Sequence, residues 1–330
     1  MAKTITILSI DGGGIRGIIP AIILNELEKI SGKPISQLFD LIAGTSTGGI
    51  LSLALSKPKS VEDLSPAYTA AELINLYEKE GSKIFSSNIL HTIVAAGNLL
   101  EEKYPANGVE YVLKNYFGDT KLSESLVPVI ITAYETERRI SWFFESSKAK
   151  LDPSYNFLMR DVARSTSAAP TYFEPHKINV AGPAEYYSFI DGGVYANNPA
   201  MCAFVEAKTM FPEAEKMILV SLGTGTQSKQ LKYDDLKGWG LAKWAQPILN
   251  VVFDGVDTTI DYQLKQLFGV ANFGSYYRFQ PRLDGLNEAM DKADFENVRA
   301  LKLLAERLVR DNSNQLYNLA NQLKLTKEME

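Results

Sequence analysis

Leu38-Phe39-Asp40-Leu41-Ile42-Ala43-Gly44-Thr45-Ser46-Thr47-Gly48-Gly49-Ile50-Leu51-Ser52-Leu53-Ala54-Leu55 is an apolar run, a serine between glycines, and a second apolar run. The first run reads as a strand and the second as a helix, so Ser46 occupies the tight turn between them. That is the context a Gly-x-Ser-x-Gly elbow requires. Glycines on either side let the backbone reverse without a clashing Cβ, and the hydroxyl stands exposed above a sheet edge. The stretch therefore points to an α/β fold and to a serine that can attack an acyl group.

The rest of the chain alternates in the same way. Thr4–Ile10 is a near-continuous apolar run, as expected of a strand covered on both faces. A helix follows, with Pro20 in its first turns and Gly32 and Pro34 as its stop. Further strands are predicted over Leu126–Tyr134, Ile140–Phe144, Tyr187–Ile190, Met217–Leu222 and Tyr276–Gln280. Helical spacing recurs near Ala70–Glu80, Gly108–Tyr116, Arg160–Ser167 and Pro199–Met210. This alternation predicts a largely parallel sheet. Gln227–Gly238 is polar and loop-like, and Ala293 to about Leu323 reads as one long amphipathic helix packing on the sheet layer. With no repeat, low-complexity tract or linker, the 330 residues are read as one domain, 1–330.

Composition narrows the function classes. The chain is 45% hydrophobic, enough for a large core, and its net charge of −5 offers no basic footprint for nucleic acid. The single cysteine, Cys202, excludes an internal disulfide and reads as a small apolar residue. No Cys/His cluster has zinc spacing. Signal-peptide features and an apolar run long enough to span a bilayer are both missing from the sequence, so the expectation is a soluble, cytoplasmic protein.

Three glycine-bearing turns follow predicted strand ends: Asp11-Gly12-Gly13-Gly14-Ile15-Arg16-Gly17, the Ser46 elbow, and Asp191-Gly192-Gly193. In a parallel sheet, strand C-termini share one edge, so the three turns are expected to converge there. Each supplies something acyl transfer needs. Gly12, Gly13 and Gly14 offer consecutive amides for an oxyanion at a helix start, and the elbow adds the amide of Thr47. The remaining need is a base. Of the two histidines, His91 lies far from any strand end and reads as structural. His176 fits a Ser–Asp–His chain order with Asp161 but lacks a strand-end setting, which favours Asp191. An ordinary Asp-Gly turn is the plain alternative for Asp191, and it loses weight beside the other two turns.

Two rival readings are set aside on the sequence. Gly12-x-Gly14-x-x-Gly17 satisfies a dinucleotide fingerprint, but the acidic residue expected at the end of the second strand is replaced by the Ser46 elbow. Ser221–Thr226 looks like a phosphate cradle without the Lys-Ser/Thr ending of a P-loop.

Taken in order, Asp-Gly-Gly-Gly-Ile-Arg-Gly, Gly-Thr-Ser-Thr-Gly-Gly and Asp-Gly-Gly resemble the patatin-like phospholipase family. Ser167–Phe173, Tyr195–Pro199 and Ser221–Gly225 add to the resemblance, which spans roughly residues 5–226 with no departure in the three main motifs. It implies a three-layer α/β/α fold with a mostly parallel central sheet, a Ser–Asp dyad without histidine, and lipid acyl hydrolase activity of the phospholipase A type. By position it makes Ser46 the nucleophile, Asp191 the base and Gly12–Gly14 the oxyanion loop. The implied chemistry needs no metal and no cofactor, and the implied partner is a membrane or micellar lipid met at an interface.

Arg16 has two readings, as the basic residue that shapes the glycine loop or as one that faces a substrate phosphate, against a solvated first-turn arginine. Helix capping before Pro199 accounts for one of Asn197 and Asn198. Trp239, Leu241, Trp244, Ile248, Leu249, Val252 and Phe253 form either an interfacial lid element or an ordinary packed helix. Two further function classes use the same motifs: an acyltransferase with an alcohol acceptor, and a non-catalytic lipid-binding protein.

Overall fold

In the computed structural model, described for residues 3–84, 106–180, 186–244, 247–270 and 273–328, eight strands form one sheet. They are β1 (Thr4–Ile10), β2 (Leu41–Thr45), β3 (Val129–Glu135), β4 (Ile140–Glu145), β5 (His176–Asn179), β6 (Tyr186–Asp191), β7 (Lys216–Leu222) and β8 (Gly274–Phe279). The order is β5-β6-β3-β2-β1-β7-β8, with β4 also paired to β3. β1, β2, β3, β7 and β8 run parallel, while β4, β5 and β6 are antiparallel to their neighbours.

Alternation along β1 explains the layers. Leu8 and Ile10 face one apolar cluster, and Ile5 and Ile7 face another. The first cluster is covered by α1 (Ile18–Ser31) and α2 (Thr47–Ser56), with α3 (Ala70–Asn75) and α4 (Met159–Thr166) beside them. α5 (Ala200–Met210) and α6 (Pro247–Val270) cover the second. α1 ends where Gly32 takes a left-handed φ of 67° and returns its amide to Glu28. Every residue of α2 is buried, so the turn that starts it is held between sheet and helices.

The expected long C-terminal helix is two helices, α7 (Phe295–Asp311) and α8 (Ser313–Glu328). Asn312 breaks it by turning its side-chain amide back onto the Leu308 carbonyl at 2.8 Å. Phe295 lies off the buried stripe at 78% exposure, while Val298 and Leu301 are on it. Both helices pack chiefly on α1, and α8 also meets the sheet where the Tyr277 hydroxyl of β8 donates to Gln322 Oε1 at 3.2 Å. His176 begins β5, a short strand the apolar pattern did not reveal.

Register along β3 brings two distant turns together by a route the sequence reading did not foresee. β4 occupies one edge of β3 from Ile130 to Glu135, so β2 and β6 share the other. β2 stops at Thr45 opposite Thr132, and β6 stops at Asp191 opposite Ala133. The third turn therefore arrives from the opposite direction, on an antiparallel strand. β2 and β6 meet end to end, C-terminus against C-terminus.

Candidate active site

Ser46 is the residue at which β2 becomes α2, and its backbone is strained, with φ 54° and ψ −122°. A non-glycine residue in that region persists only where its surroundings over-determine it. Here the Ser46 amide donates to Thr166 Oγ1 at 2.8 Å and its carbonyl accepts from Ile50 at 3.0 Å. Gly48 makes the turn possible, because a Cβ there would lie 2.1 Å from the Ile10 carbonyl oxygen. The hydroxyl that this geometry presents shares a cavity with the Asp191 carboxyl and acts to lower that group's pKa.

Asp191 is buried, with 2% of its surface exposed. Its amide donates to the Ala168 carbonyl at 3.0 Å, and its Oδ1 accepts the Gly193 amide at 2.7 Å. Burial raises the carboxyl from its ordinary 3.8 to about 7, against the opposing pull of the Ser46 hydroxyl and the Gly193 amide. A carboxylate of that basicity is matched to proton transfer near neutral pH.

The first glycine turn lies against the elbow, with a Cβ on Gly12 only 3.3 Å from Ser46 Cβ. Gly12 itself is committed: its amide donates to the Asn197 carbonyl at 3.0 Å and its carbonyl accepts Thr224 Oγ1 at 2.6 Å. The amides of Gly13 and Gly14 have no acceptor among the described residues, and that of Thr47, the first residue of α2, has none within its helix. The expected trio of free amides in the glycine loop is thus a pair. Gly14 holds a φ of +59°, and a Cβ on it would meet the Met290 carbonyl oxygen at 2.1 Å.

Arg16 is buried and donates through Nε to the Gly13 carbonyl at 3.3 Å. Its guanidinium lines neither cavity at the site, so the phosphate-facing reading gives way to the loop-shaping one. Behind the loop, Arg278 of β8 reaches Asp11 at 2.6 Å and Ser221 Oγ at 2.8 Å, and also pairs with Asp257 of α6. Asp257 in turn accepts the Asn198 side-chain amide at 3.0 Å. No local pattern announces this buried cluster. The same holds for the contacts of Thr166 and Asn197, whereas Thr224 sits in the glycine-flanked run noted as a cradle and holds the loop.

Ser46, Asp191, Gly13 and Gly14 open on a cavity of about 70 Å³ whose other walls are mainly apolar, among them Ile50, Leu76, Phe173 and Phe253. Tyr77, on a π-helical turn over Leu76–Glu80, also lines it and shares a 2.7 Å hydrogen bond with Thr47 Oγ1. His176 does not line this cavity; its Nε2 lies 3.5 Å from Asp161 Oδ1 on another face of the molecule. His91 lies outside the described residues. Within the Trp239–Phe253 stretch, Phe253 is buried in the cavity wall and Val252 is 36% exposed. Trp239 and Trp244 are half-buried and meet edge-to-face at 5.4 Å. Among the described residues no helix is long and apolar enough to cross a membrane.

Residues 8–204 match the family model described as Patatin-like phospholipase. Patatin-like protein 2 of Arabidopsis thaliana is 33% identical, over 93% of this chain and 83% of that protein. Patatin-17 of Solanum cardiophyllum is 31% identical, over 94% and 85%. The Solanum tuberosum protein named Probable inactive patatin-3-Kuras 1 is 29% identical, over 97% and 91%.

Proposed function

We propose that this chain, which belongs to the patatin-like phospholipase family, is a serine lipid acyl hydrolase cleaving fatty-acyl esters of phospholipids or galactolipids through Ser46 and Asp191. One observation supports the reading above others: the Ser46 hydroxyl, on a strained turn, shares a mainly apolar cavity with a buried carboxyl raised to about 7.

In the proposed reaction Asp191 takes the hydroxyl proton as Ser46 Oγ bonds to the ester carbonyl carbon. Negative charge moves to the carbonyl oxygen, where the amides of Gly13 and Gly14 meet it, with Thr47 as a third donor. Losing one such donor costs about 10²–10³ in rate. Collapse of the intermediate breaks the ester bond, and Asp191 returns the proton to the departing alcohol oxygen. Water then attacks the acyl-Ser46 ester as Asp191 takes its proton; the acyl–Oγ bond breaks, Asp191 returns the proton to Ser46 Oγ, and the fatty acid leaves. Arg16 acts as a positioning residue that holds the Gly13 carbonyl, and through it the loop.

A fluorophosphonate probe tests the reading directly. Labelling at Ser46 in the wild type, lost in Ser46→Ala and strongly slowed in Asp191→Asn, is expected. An unlabelled wild type would leave a non-catalytic lipid-binding protein; the name of the potato relative calls that protein probably inactive. Product analysis with an added acceptor alcohol separates hydrolysis from acyl transfer: free fatty acid is the expected main product.

A further inference from the structure

A second cavity, of about 530 Å³, abuts the first and shares Tyr172 and Met290 as walls. Helix α6 divides the two. Phe253 lines the apolar cavity, whereas Asn250, Val251 and Asp254 line the larger one. With an acyl chain in the small apolar cavity, the alcohol portion of a lipid has to leave it past Ser46, and the larger cavity is the neighbouring space, reached across Tyr172 and Met290.

The wall of that space is charged in one sense. It carries Asp235, Asp254 and Glu288 against a single cation among the lining residues, Lys229, together with the indole of Trp239. Glu288 is fixed as an anion: its Oε1 accepts the Ser228 amide at 2.6 Å, the Ser228 hydroxyl at 2.8 Å and the Lys229 amide at 3.0 Å. Against the upward push of desolvation, these bonds and the charge of Arg16 hold it below its usual range. Asp254 is half-buried and accepts no hydrogen bond through its carboxylate among the described residues. Arg16 attracts Asp254 and Glu288 from behind the wall but does not reach the cavity. The buried cluster at Arg278 adds no net negative charge at neutral pH, since burial raises Asp11 to about 8.

We propose that this cavity receives the head group of the departing alcohol and selects one bearing an ammonium, choline or ethanolamine, over an anionic one. This assignment rests on the hydrolase reading for its catalytic consequence. Carboxylates at Asp254, Glu288 and Asp235, with the aromatic face of an indole nearby, suit an ammonium. Lys229 suits the phosphodiester that precedes it. A head group whose net charge is negative meets the same carboxylates as repulsion.

The test uses the intact protein and two short-chain lipids below their micelle concentrations, dihexanoylphosphatidylcholine and dihexanoylphosphatidylglycerol, so that vesicle charge plays no part. The expected kcat/KM ratio favours the choline lipid about fivefold or more, the scale of one cation–π or exposed ion-pair contact. It is expected to fall toward parity in Asp254→Asn and to reverse in Asp254→Lys. Asp235→Asn, at an exposed position, reads the same effect if an Asp254 variant fails to fold. Choline chloride binding to Ser46→Ala, followed by calorimetry, reports on the cavity without any reaction. Parity of the two lipids in the wild type, or a ratio indifferent to all three variants, overturns the assignment. Hydrolysis of p-nitrophenyl butyrate, which has no head group, keeps the two ideas apart. An enzyme active on it with parity between lipids loses only the cavity assignment. A protein inert on all three esters that still binds choline keeps the cavity and loses the hydrolase reading.

Discussion

Replacing Asp191 with asparagine should abolish ester hydrolysis and at the same time stabilise the fold at alkaline pH. The carboxyl is raised from its ordinary 3.8 to about 7, so the folded state binds its proton more tightly than the unfolded chain does. Between about pH 4 and 7 the unfolded chain gives up the proton first, and stability falls as pH rises. At 1.36 kcal/mol per pH decade, the protonated carboxyl contributes about 2.7 kcal/mol at pH 5, and this is gone by pH 8. Asparagine has no such slope. Its Oδ1 can keep the Gly193 amide, and its amide can donate to Ser46 Oγ. Urea unfolding of both proteins at pH 5 and pH 8 gives the measurement, since every other titrating group cancels in the difference. The advantage of the variant should widen by about 2–3 kcal/mol between the two pH values. Parallel behaviour, with the same gap at both, would refute the claim that burial holds this carboxyl near neutrality, and with it the account of Asp191 as a base at neutral pH.

Three other outcomes follow from the same geometry. The kcat/KM of the wild type on a neutral ester should climb with pH and level off above about 7, because the ionised form of Asp191 is the one that accepts the proton; a profile falling across that range contradicts the assignment. His176→Ala should retain hydrolysis, since the imidazole faces Asp161 and not the Ser46 cavity, and a folded but inactive variant would move the base to His176. Arg278→Met should cost about 3–5 kcal/mol in chemical denaturation, because it strands Asp11 and Asp257 without their shared cation; a loss under about 1 kcal/mol would mean that the cluster contributes little.

Much of the architecture was legible because the chain states it locally. An apolar run with glycines behind it is a strand ending in a tight turn, and Ser46 and Asp191 both stand at such ends. The direction of β6 was not legible, since alternation and turn residues say nothing about which way a strand enters a sheet. The convergence of the two turns was therefore expected for a partly mistaken reason: β6 meets β2 head-on along β3 and does not lie parallel beside it. The availability of the glycine amides was also hidden. Whether the Gly12 N–H is free depends on Asn197, 185 positions away, and such pairings leave no periodic trace. The break at Asn312 and the brief β5 belong to the same class, each decided by one side-chain bond or one edge pairing.

The salt cluster behind the glycine loop has a consequence for how the protein comes into being. Asp11 is the residue immediately before that loop, yet its guanidinium partner is supplied 267 positions later, by β8. A nascent chain that has left the ribosome only as far as β7 already holds Ser46 and Asp191. It lacks the guanidinium that donates to Asp11, the Asp257 partner of Asn198 and the Phe253 wall packed against Gly193. The turns written early in the chain are thus completed by contacts from the last strand among the described residues, so a chain cut before β8 would present Ser46 and Asp191 on an unfinished scaffold.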